Sequence, residues 1–327
     1  MTRVALDLMG GDHAPASVVD GALLVAEETP EVEVVLVGPP EVAAELLAAR
    51  GRSGRLEVVA ARQVVEMDED PARAIRAKRD ATVRVCARLV RDGVADAMVS
   101  AGSSGAALAA AVFTLGRQRG VTRPPLAAVV PAKAGPLVLL DVGANPEATA
   151  DLLAQYALAG AAYATVRLGL AQPRVGLLTN GTEAGKGDAV RKEAYAALAA
   201  LPIRFVGNVE GSDVPYGGTA DVIVTDGFTG NVLVKGLEGM AAMLTELYPA
   251  LADVTAPLSP EASGSALLLG VEGVVIVGHG TSSPRAVAGC VAAADEAVRE
   301  GLVGRVGASL ADRLDRRRTE AGLGAAP

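Results

Sequence analysis

The chain has 327 residues, a formal net charge of −8 at neutral pH, two cysteines, 2% aromatic residues and no tryptophan. A chain of this length buries a substantial core, as one large α/β domain or as two lobes, and its aliphatic composition asks for close-packed layers between helices and sheet. The acidic balance and the scarcity of aromatic rings argue against nucleic acid and anionic lipid as partners.

The chain enters its first strand near Arg3 without a basic leader and an apolar run, so no signal peptide is expected and the cytoplasm is the expected location. Runs rich in Val, Ile and Leu predict strands at 4–6, 32–37, 56–60, 97–99, 126–130, 137–140, 175–178, 203–206, 222–224 and 274–277. Most are continuously apolar rather than alternating, the pattern of strands buried on both faces of a largely parallel sheet. Helical patterns fill most of the gaps. Pro15, Pro40, Pro71 and Pro284 each stand at the first position of an expected helix, and Ser283 offers an N-cap to the last.

The longest apolar stretch, 106–115, is shorter than the ~20 residues that span a bilayer, so no transmembrane helix is expected. Cys86 and Cys290 stand far apart in apolar helical contexts, with no metal-binding spacing, and read as reduced core thiols. Residues 248–265, with Pro249, Pro257 and Pro260, read as a loop. Arg313, Arg316, Arg317 and Arg318 read as the solvated face of a terminal helix. We take 1–327 as a single α/β domain with room for two lobes, and 319–327 as a flexible tail.

Six apolar runs end in small polar clusters, at 10–13, 101–105, 143–145, 180–187, 226–231 and 278–283. In open α/β sheets ligands bind beyond the carboxyl ends of the strands, where glycines let backbone N–H groups approach an anion closely. The sequence therefore points to an anionic ligand. The cluster at 180–187, NGTEAGKG, lacks the first Gly and the final Ser or Thr of a nucleotide P-loop, yet it carries Lys186 on a flexible turn ahead of a helix.

The densest cluster runs from Asp226 to Asn231 and enters a helix carrying Lys235. Thr229 and Asn231 are candidate oxyanion donors, Gly230 permits close approach, and Asp226 orients a neighbouring donor or cation. The plainer alternative makes Asp226 and Asn231 turn and N-cap residues. The two histidines, His13 and His279, both lie in glycine loops, as hydrogen-bond donors to an oxyanion or as structural residues. Gly278, Gly280 and Ser283 fall one residue short of a dinucleotide fingerprint, and no acidic partner follows at the required distance. Asp12, Asp141 and Asp226 have no spacing that demands a metal, so neither metal nor cofactor is assigned. No G-x-S-x-G elbow is present, and Ser103 and Ser104 have no diagnostic His, so the bound ligand is the better nucleophile.

In order, the motifs LDLMGGDHAP at 6–15, SAGSSGA at 100–106, LLDVGAN at 139–145 and VGLLTNGTEAGKG at 175–187 resemble one family. GNVEG at 207–211, DVIVTDGFTGNVLVK at 221–235 and VVIVGHGTSS at 274–283 complete the series. The family is the fatty acyl-acyl-carrier-protein phosphate acyltransferases, PlsX. The resemblance implies a three-layer α/β/α fold similar to phosphotransacetylases and the isopropylmalate dehydrogenase group, usually a homodimer. It also implies a reaction in which a long-chain acyl thioester and inorganic phosphate give acyl phosphate and free acyl carrier protein, for phospholipid synthesis, with a glycerol-3-phosphate acyltransferase as a downstream partner.

On that resemblance Lys186, Asp226, Asn231 and His279 are the expected catalytic residues. His279 would protonate the departing thiolate or contact the oxyanion. Asp12, His13, Ser103, Ser104, Asn145, Thr229, Gly230 and Lys235 are expected to bind phosphate or substrate. Ser103 and Ser104 replace the family's common Asn-Thr pair, Thr179 and Asn180 replace Asn and an aliphatic residue, and Ser212 stands where Arg is frequent. Between Met240 and Gly264 the family's longer pair of amphipathic helices, associated with membrane contact and carrier-protein docking, is trimmed, so at most weak peripheral membrane association is expected. Rival readings are a phosphotransacetylase acting on short acyl-CoA, a noncatalytic phosphate or acyl-ligand binding protein, and, by fold analogy, a dehydrogenase.

Overall fold

A computed structural model describes residues 1–259, 262 and 264–320. The chain divides into two compact units, Met1–Arg117 with Pro260–Gly301, and Gln118–Ser259 with Leu302–Pro327. Each is a mixed α/β body built on mostly parallel strands flanked by helices.

Unit 1 orders its strands β3 (Glu57–Ala60), β2 (Val32–Gly38), β1 (Thr2–Asp7), β4 (Ala97–Ser100), β11 (Val274–Gly278) and β10 (Ser265–Leu268). All neighbours are parallel except β10, which runs against β11. The register seats Val4 beside Ala97 and Leu6 beside Val99, so the apolar runs of β1 and β4 form one buried layer. Two groups of helices cover the strands. α1 (Ala16–Glu28) packs with α10 (Pro284–Arg299), while α3 (Pro71–Ala77) and α4 (Thr82–Arg91) pack against α5 (Ser104–Thr114). α2 (Pro40–Ala49) follows β2 and touches it, β3 and α1.

In unit 2 the order is β5 (Leu126–Val130), β6 (Leu137–Leu140), β9 (Val222–Val224), β7 (Arg174–Thr179) and β8 (Arg204–Glu210), all parallel but for the antiparallel pair β5 and β6. The central helix α6 (Ala150–Arg167) is rich in Ala, Leu and Tyr on every face and is accordingly buried along most of its length. It packs against α7 (Ala189–Ala199) and α11 (Leu302–Glu320). α8 (Gly227–Leu247) rises from the end of β9, and the short α9 (Ala252–Thr255) follows it.

Parallel pairing puts the polar clusters at common edges. In unit 1 the segments after β1, β4 and β11 leave the same edge of the sheet, and in unit 2 those after β6, β7 and β9 do. Helix N-termini gather at those edges, and side chains cap several of them. Ser103, Asp188, Asp226 and Ser283 each accept a hydrogen bond from a first-turn amide.

Four local expectations need correction. Residues 248–258 are not a loop but successive helical turns, because Pro249 and Pro257 occupy opening positions of 3-10 turns, where proline costs no hydrogen bond. Beyond them Ser265–Leu268 adds a strand, its backbone paired with β11. Pro15 precedes α1 as its N-cap rather than opening it. Arg313 is half-buried and donates to the Thr165 hydroxyl at 3.2 Å, so it does not lie on a solvated face. The side chains of Arg316, Arg317 and Arg318, and residues 321–327 of the expected tail, lie outside the described residues; α11 runs through Glu320. Among the described residues no helix is long and apolar enough to cross a membrane.

Candidate active site

The unit 2 site is organised by glycine contacts. The first turn of α8 presses on the loop leaving β6: a Cβ on Gly230 would lie 2.0 Å from the carbonyl oxygen of Asp141, and one on Gly227 would lie 2.7 Å from that of Asn145. Spaced by three, the two glycines share a helix face and allow backbone to meet backbone. Gly143, with φ +141°, would place a Cβ 2.8 Å from the Asn231 amide nitrogen, and that amide donates to the Val142 carbonyl at 3.1 Å. Asn231 therefore sits inside α8 rather than at its cap, folded over a loop in which only glycine fits.

Beneath this contact Asp141 is fully buried and gathers the loop around its carboxylate. It accepts from the amides of Leu126, Gly143, Ala144 and Asn145 and from the Asn145 side chain, at 2.8 to 3.1 Å. Burial raises its pKa above the usual carboxylate range against the pull of those donors. Asn145 spends its side-chain hydrogens on Asp141 and on the Pro124 carbonyl, both at 2.9 Å. Tyr156 of α6 is also fully buried, and its hydroxyl has no hydrogen-bond partner among the described residues. Desolvation, reinforced by the charge of Asp141, pushes that hydroxyl up.

Asp226 caps α8 by accepting from the Thr229 amide and hydroxyl, both at 2.8 Å. The same carboxylate accepts from Arg191 Nη2 at 2.5 Å. Desolvation works to raise the Asp226 pKa, but the Thr229 donors and the guanidinium outweigh it and hold the group below the usual range. Arg191 also reaches the hydroxyls of Thr225 at 3.3 Å and Thr229 at 3.1 Å, the Leu178 carbonyl at 3.0 Å, and Asp188 at 2.6 Å.

The loop after β7 is tied down beside it. The Asn208 side chain donates to the Glu183 carbonyl at 2.6 Å, and the Gly187 amide donates to Asn180 at 3.0 Å. Lys186 lays its stem across Gly181, where a Cβ would come 2.8 Å from its Cγ, and its exposed ammonium has no partner among the described residues. Lys235 lies one turn past Asn231 on α8 and is likewise exposed.

Unit 1 carries its own edge cluster. Asp7, at the end of β1, is buried and accepts from the Ser100 hydroxyl at 2.7 Å, while the Asp12 amide donates to the Gly280 carbonyl at 2.7 Å. Gly10 has room for no side chain, its Cβ position lying within 2.9 Å of Asp7, Gly102 and Ser100 atoms. Asp7, Gly10, Asp12 and Ser100, with Thr82 and Ser103, line a small cavity of about 80 Å³. Burial raises the Asp7 pKa against hydrogen bonds from Thr82, Ser100 and Met9. Ser103 caps α5 and Ser104 opens it; His13 is exposed; the His279 carbonyl accepts from the Ser282 amide at 3.0 Å and hydroxyl at 2.6 Å.

Of the expected site residues, Asn145, Asp226, Thr229, Gly230 and Asn231 share one packed cluster in unit 2, with Lys186 on the adjoining loop. Asp12, His13, Ser103, Ser104 and His279 belong to the edge cluster of unit 1. Arg191, Asn208 and Asp141 as an amide-gathering hub were missed. In sequence Asp141 offers itself only as a metal-ligand candidate, and Arg191 lies in an ordinary helical stretch with no sign of its partners. Among the described residues no group of three or more His, Cys, Asp or Glu side chains is placed to hold a metal ion. Cys86 and Cys290 are buried and free; desolvation pushes the Cys86 thiol well up and the Cys290 thiol up to about 12.

Comparison with known proteins bears on the family and the fold. Residues 2–256 match the family model described as fatty acid synthesis protein. A phosphate acyltransferase of Desulfitobacterium hafniense strain Y51 is 43% identical over 321 residues, covering 93% of this chain and 96% of its own. Another from Myxococcus xanthus strain DK1622 is 45% identical over 314 residues, covering 89% of each. In fold, the chain is similar to the EutD phosphotransacetylase of Staphylococcus aureus, with a TM-score of 0.59 at 16% identity over 94% of each chain. It is also similar to a branched-chain phosphotransacylase of Enterococcus faecalis V583, with a TM-score of 0.60 at 16% identity over 91% of this chain and 99% of that one.

Proposed function

We propose, for a chain that belongs to the fatty acid synthesis protein family of phosphate acyltransferases, that it converts a long-chain acyl-[acyl-carrier-protein] and inorganic phosphate to acyl phosphate and free carrier protein. The observation that carries this reading is the unit 2 cluster, where the Lys186 ammonium, without a partner among the described residues, and the Asn231 amide stand at strand ends. Both thiols are buried and held protonated, so neither attacks an acyl group.

Phosphate supplies the nucleophile. One of its oxygens adds to the thioester carbonyl carbon, the carbonyl becomes an oxyanion, and its collapse breaks the carbon–sulfur bond and releases the carrier thiolate. Phosphate is largely ionised near neutrality and needs no strong base, so the protein's work is alignment and oxyanion stabilisation. We assign phosphate to Lys186 and Asn231 with Thr229 and Lys235 nearby, and the fixing of the first turn of α8 to Asp226, Gly230 and the loop framed by Asn145. In unit 1 we assign substrate contacts to Asp12, His13, Ser103 and Ser104, and to His279 the proton taken by the thiolate. The reaction uses no cofactor. The protein works in the cytoplasm as a homodimer, with weak membrane contact at most, and hands its product to a glycerol-3-phosphate acyltransferase.

The test supplies purified protein with palmitoyl carrier protein and excess phosphate, traps acyl phosphate as the hydroxamate, and counts released thiol. Equal, phosphate-dependent yields of the two are expected. Thiol release from acetyl-CoA but not from the carrier substrate would identify a short-chain phosphotransacetylase, and release from neither would leave a binding protein.

A further inference from the structure

We propose that Arg191 is a positioning residue for the anion site, holding and neutralising the Asp226 carboxylate so that the first turn of α8 and the Lys186 loop accept phosphate. The proposal rests on the reading of this cluster as the phosphate site. A cation within the first turn of a helix opposes the macrodipole, so α7 gains nothing from an arginine there. What compensates the guanidinium lies outside the body of α7. It joins the end of β7 through Leu178, the α7 cap through Asp188, and the α8 cap through Thr225, Asp226 and Thr229.

The side chain is only 14% exposed, matching the 14% of its partner Asp226. Nε is spent on Leu178 and Nη2 on Asp226 and the two threonines, and Nη1 turns to Asp188, so we place Arg191 behind the anion site rather than on the anion. It does shape the loop that bears Lys186. Gly187 has φ +93° and would place a Cβ 2.7 Å from the Arg191 Cβ, so the turn after Lys186 wraps directly on this residue. Remove the guanidinium, and Asp226 keeps a half-buried negative charge one turn from Asn231, where it repels an incoming dianion.

Charge compensation is separable from mere scaffolding by removing both charges. Equilibrium dialysis with radiolabelled inorganic phosphate measures Kd for the wild type, Arg191→Met, Asp226→Asn and the double variant, with thermal unfolding and acyl phosphate formation followed on the same samples. Arg191→Met should weaken phosphate binding about tenfold, the order expected for one uncompensated charge a few ångströms from a bound anion near a protein surface. The double variant should recover most of that loss, because asparagine keeps the cap and discards the charge. Arg191→Lys, which keeps a charge but loses the fork, should fall between, and it carries the test if Arg191→Met does not fold.

A double variant that binds no better than Arg191→Met, an Arg191→Met that binds like the wild type, or a wild type that binds no phosphate would each overturn the proposal. If binding follows the expected order while no acyl phosphate forms, the inference stands and the assigned reaction falls.

Discussion

Gly230→Ala adds a single methyl group at the place where α8 meets the β6 loop. An ideal Cβ there lies 2.0 Å from the Asp141 carbonyl oxygen and 3.0 Å from both the Asp141 carbonyl carbon and the Thr225 methyl, whereas ordinary contact begins at 3.4 Å. The opposing atoms are mainly backbone, and Asp141 is pinned by five hydrogen bonds, so the helix must give way by about 1.4 Å, the difference of those distances. Overpacking of this kind costs ~1–3 kcal/mol, set against ~1 kcal/mol gained from alanine's helix propensity. The net loss of stability is therefore ~0–2 kcal/mol. Function is more sensitive, since a displacement of ~1 Å at reacting groups costs on the order of 10² in rate.

The assay is phosphate-dependent thiol release from palmitoyl carrier protein, with thermal unfolding alongside. Gly236→Ala is the control on the same helix, because a Cβ there meets nothing within 4 Å. It should gain up to ~1 kcal/mol and keep its turnover. If Gly230→Ala retains turnover within about threefold of the wild type, the close approach of α8 to the β6 loop does not set the active geometry.

Lys186→Ala and Asn231→Ala should each lower turnover by roughly 10² with unfolding temperatures near the wild type, as loss of an oxyanion donor does; near-normal kinetics would remove that residue from the mechanism. Asp226 has a depressed pKa in the folded state, so its contribution to stability is present above the unfolded carboxylate pKa and is lost as pH falls through the lower folded value. Urea midpoints of wild type and Asp226→Asn should therefore differ by a constant amount near neutrality and converge in acid, and a gap that widens on acidification would contradict this sign. The two buried thiols should resist alkylation in the native protein at neutral pH and react fully in denaturant, without native-state treatment affecting turnover.

Much of this was legible from residue order alone. Continuous apolar runs marked the buried parallel strands, because a strand covered on both faces has no polar side to show. Ser283 declared itself as a cap, and clusters such as Asp226–Asn231 marked strand ends, because local backbone chemistry is written in neighbouring residues. Residues 248–258 misled because the same prolines that break a long helix also open short turns. The strand at Ser265–Leu268 was missed because its assignment rests on the β11 backbone beside it.

The sequence by itself determined most of the strands and long helices, and it marked the strand-end segments that carry Lys186, Asp226 and Asn231. Tertiary structure alone decided what those residues do to one another. Arg191 lies 35 positions from Asp226, and Asp141 sits 89 positions from Gly230, yet one pair shares a hydrogen bond and the other a backbone contact. Interactions over such separations are fixed by sheet order and by the absence of a side chain at a crossing point, and neither leaves a periodic signal along the chain.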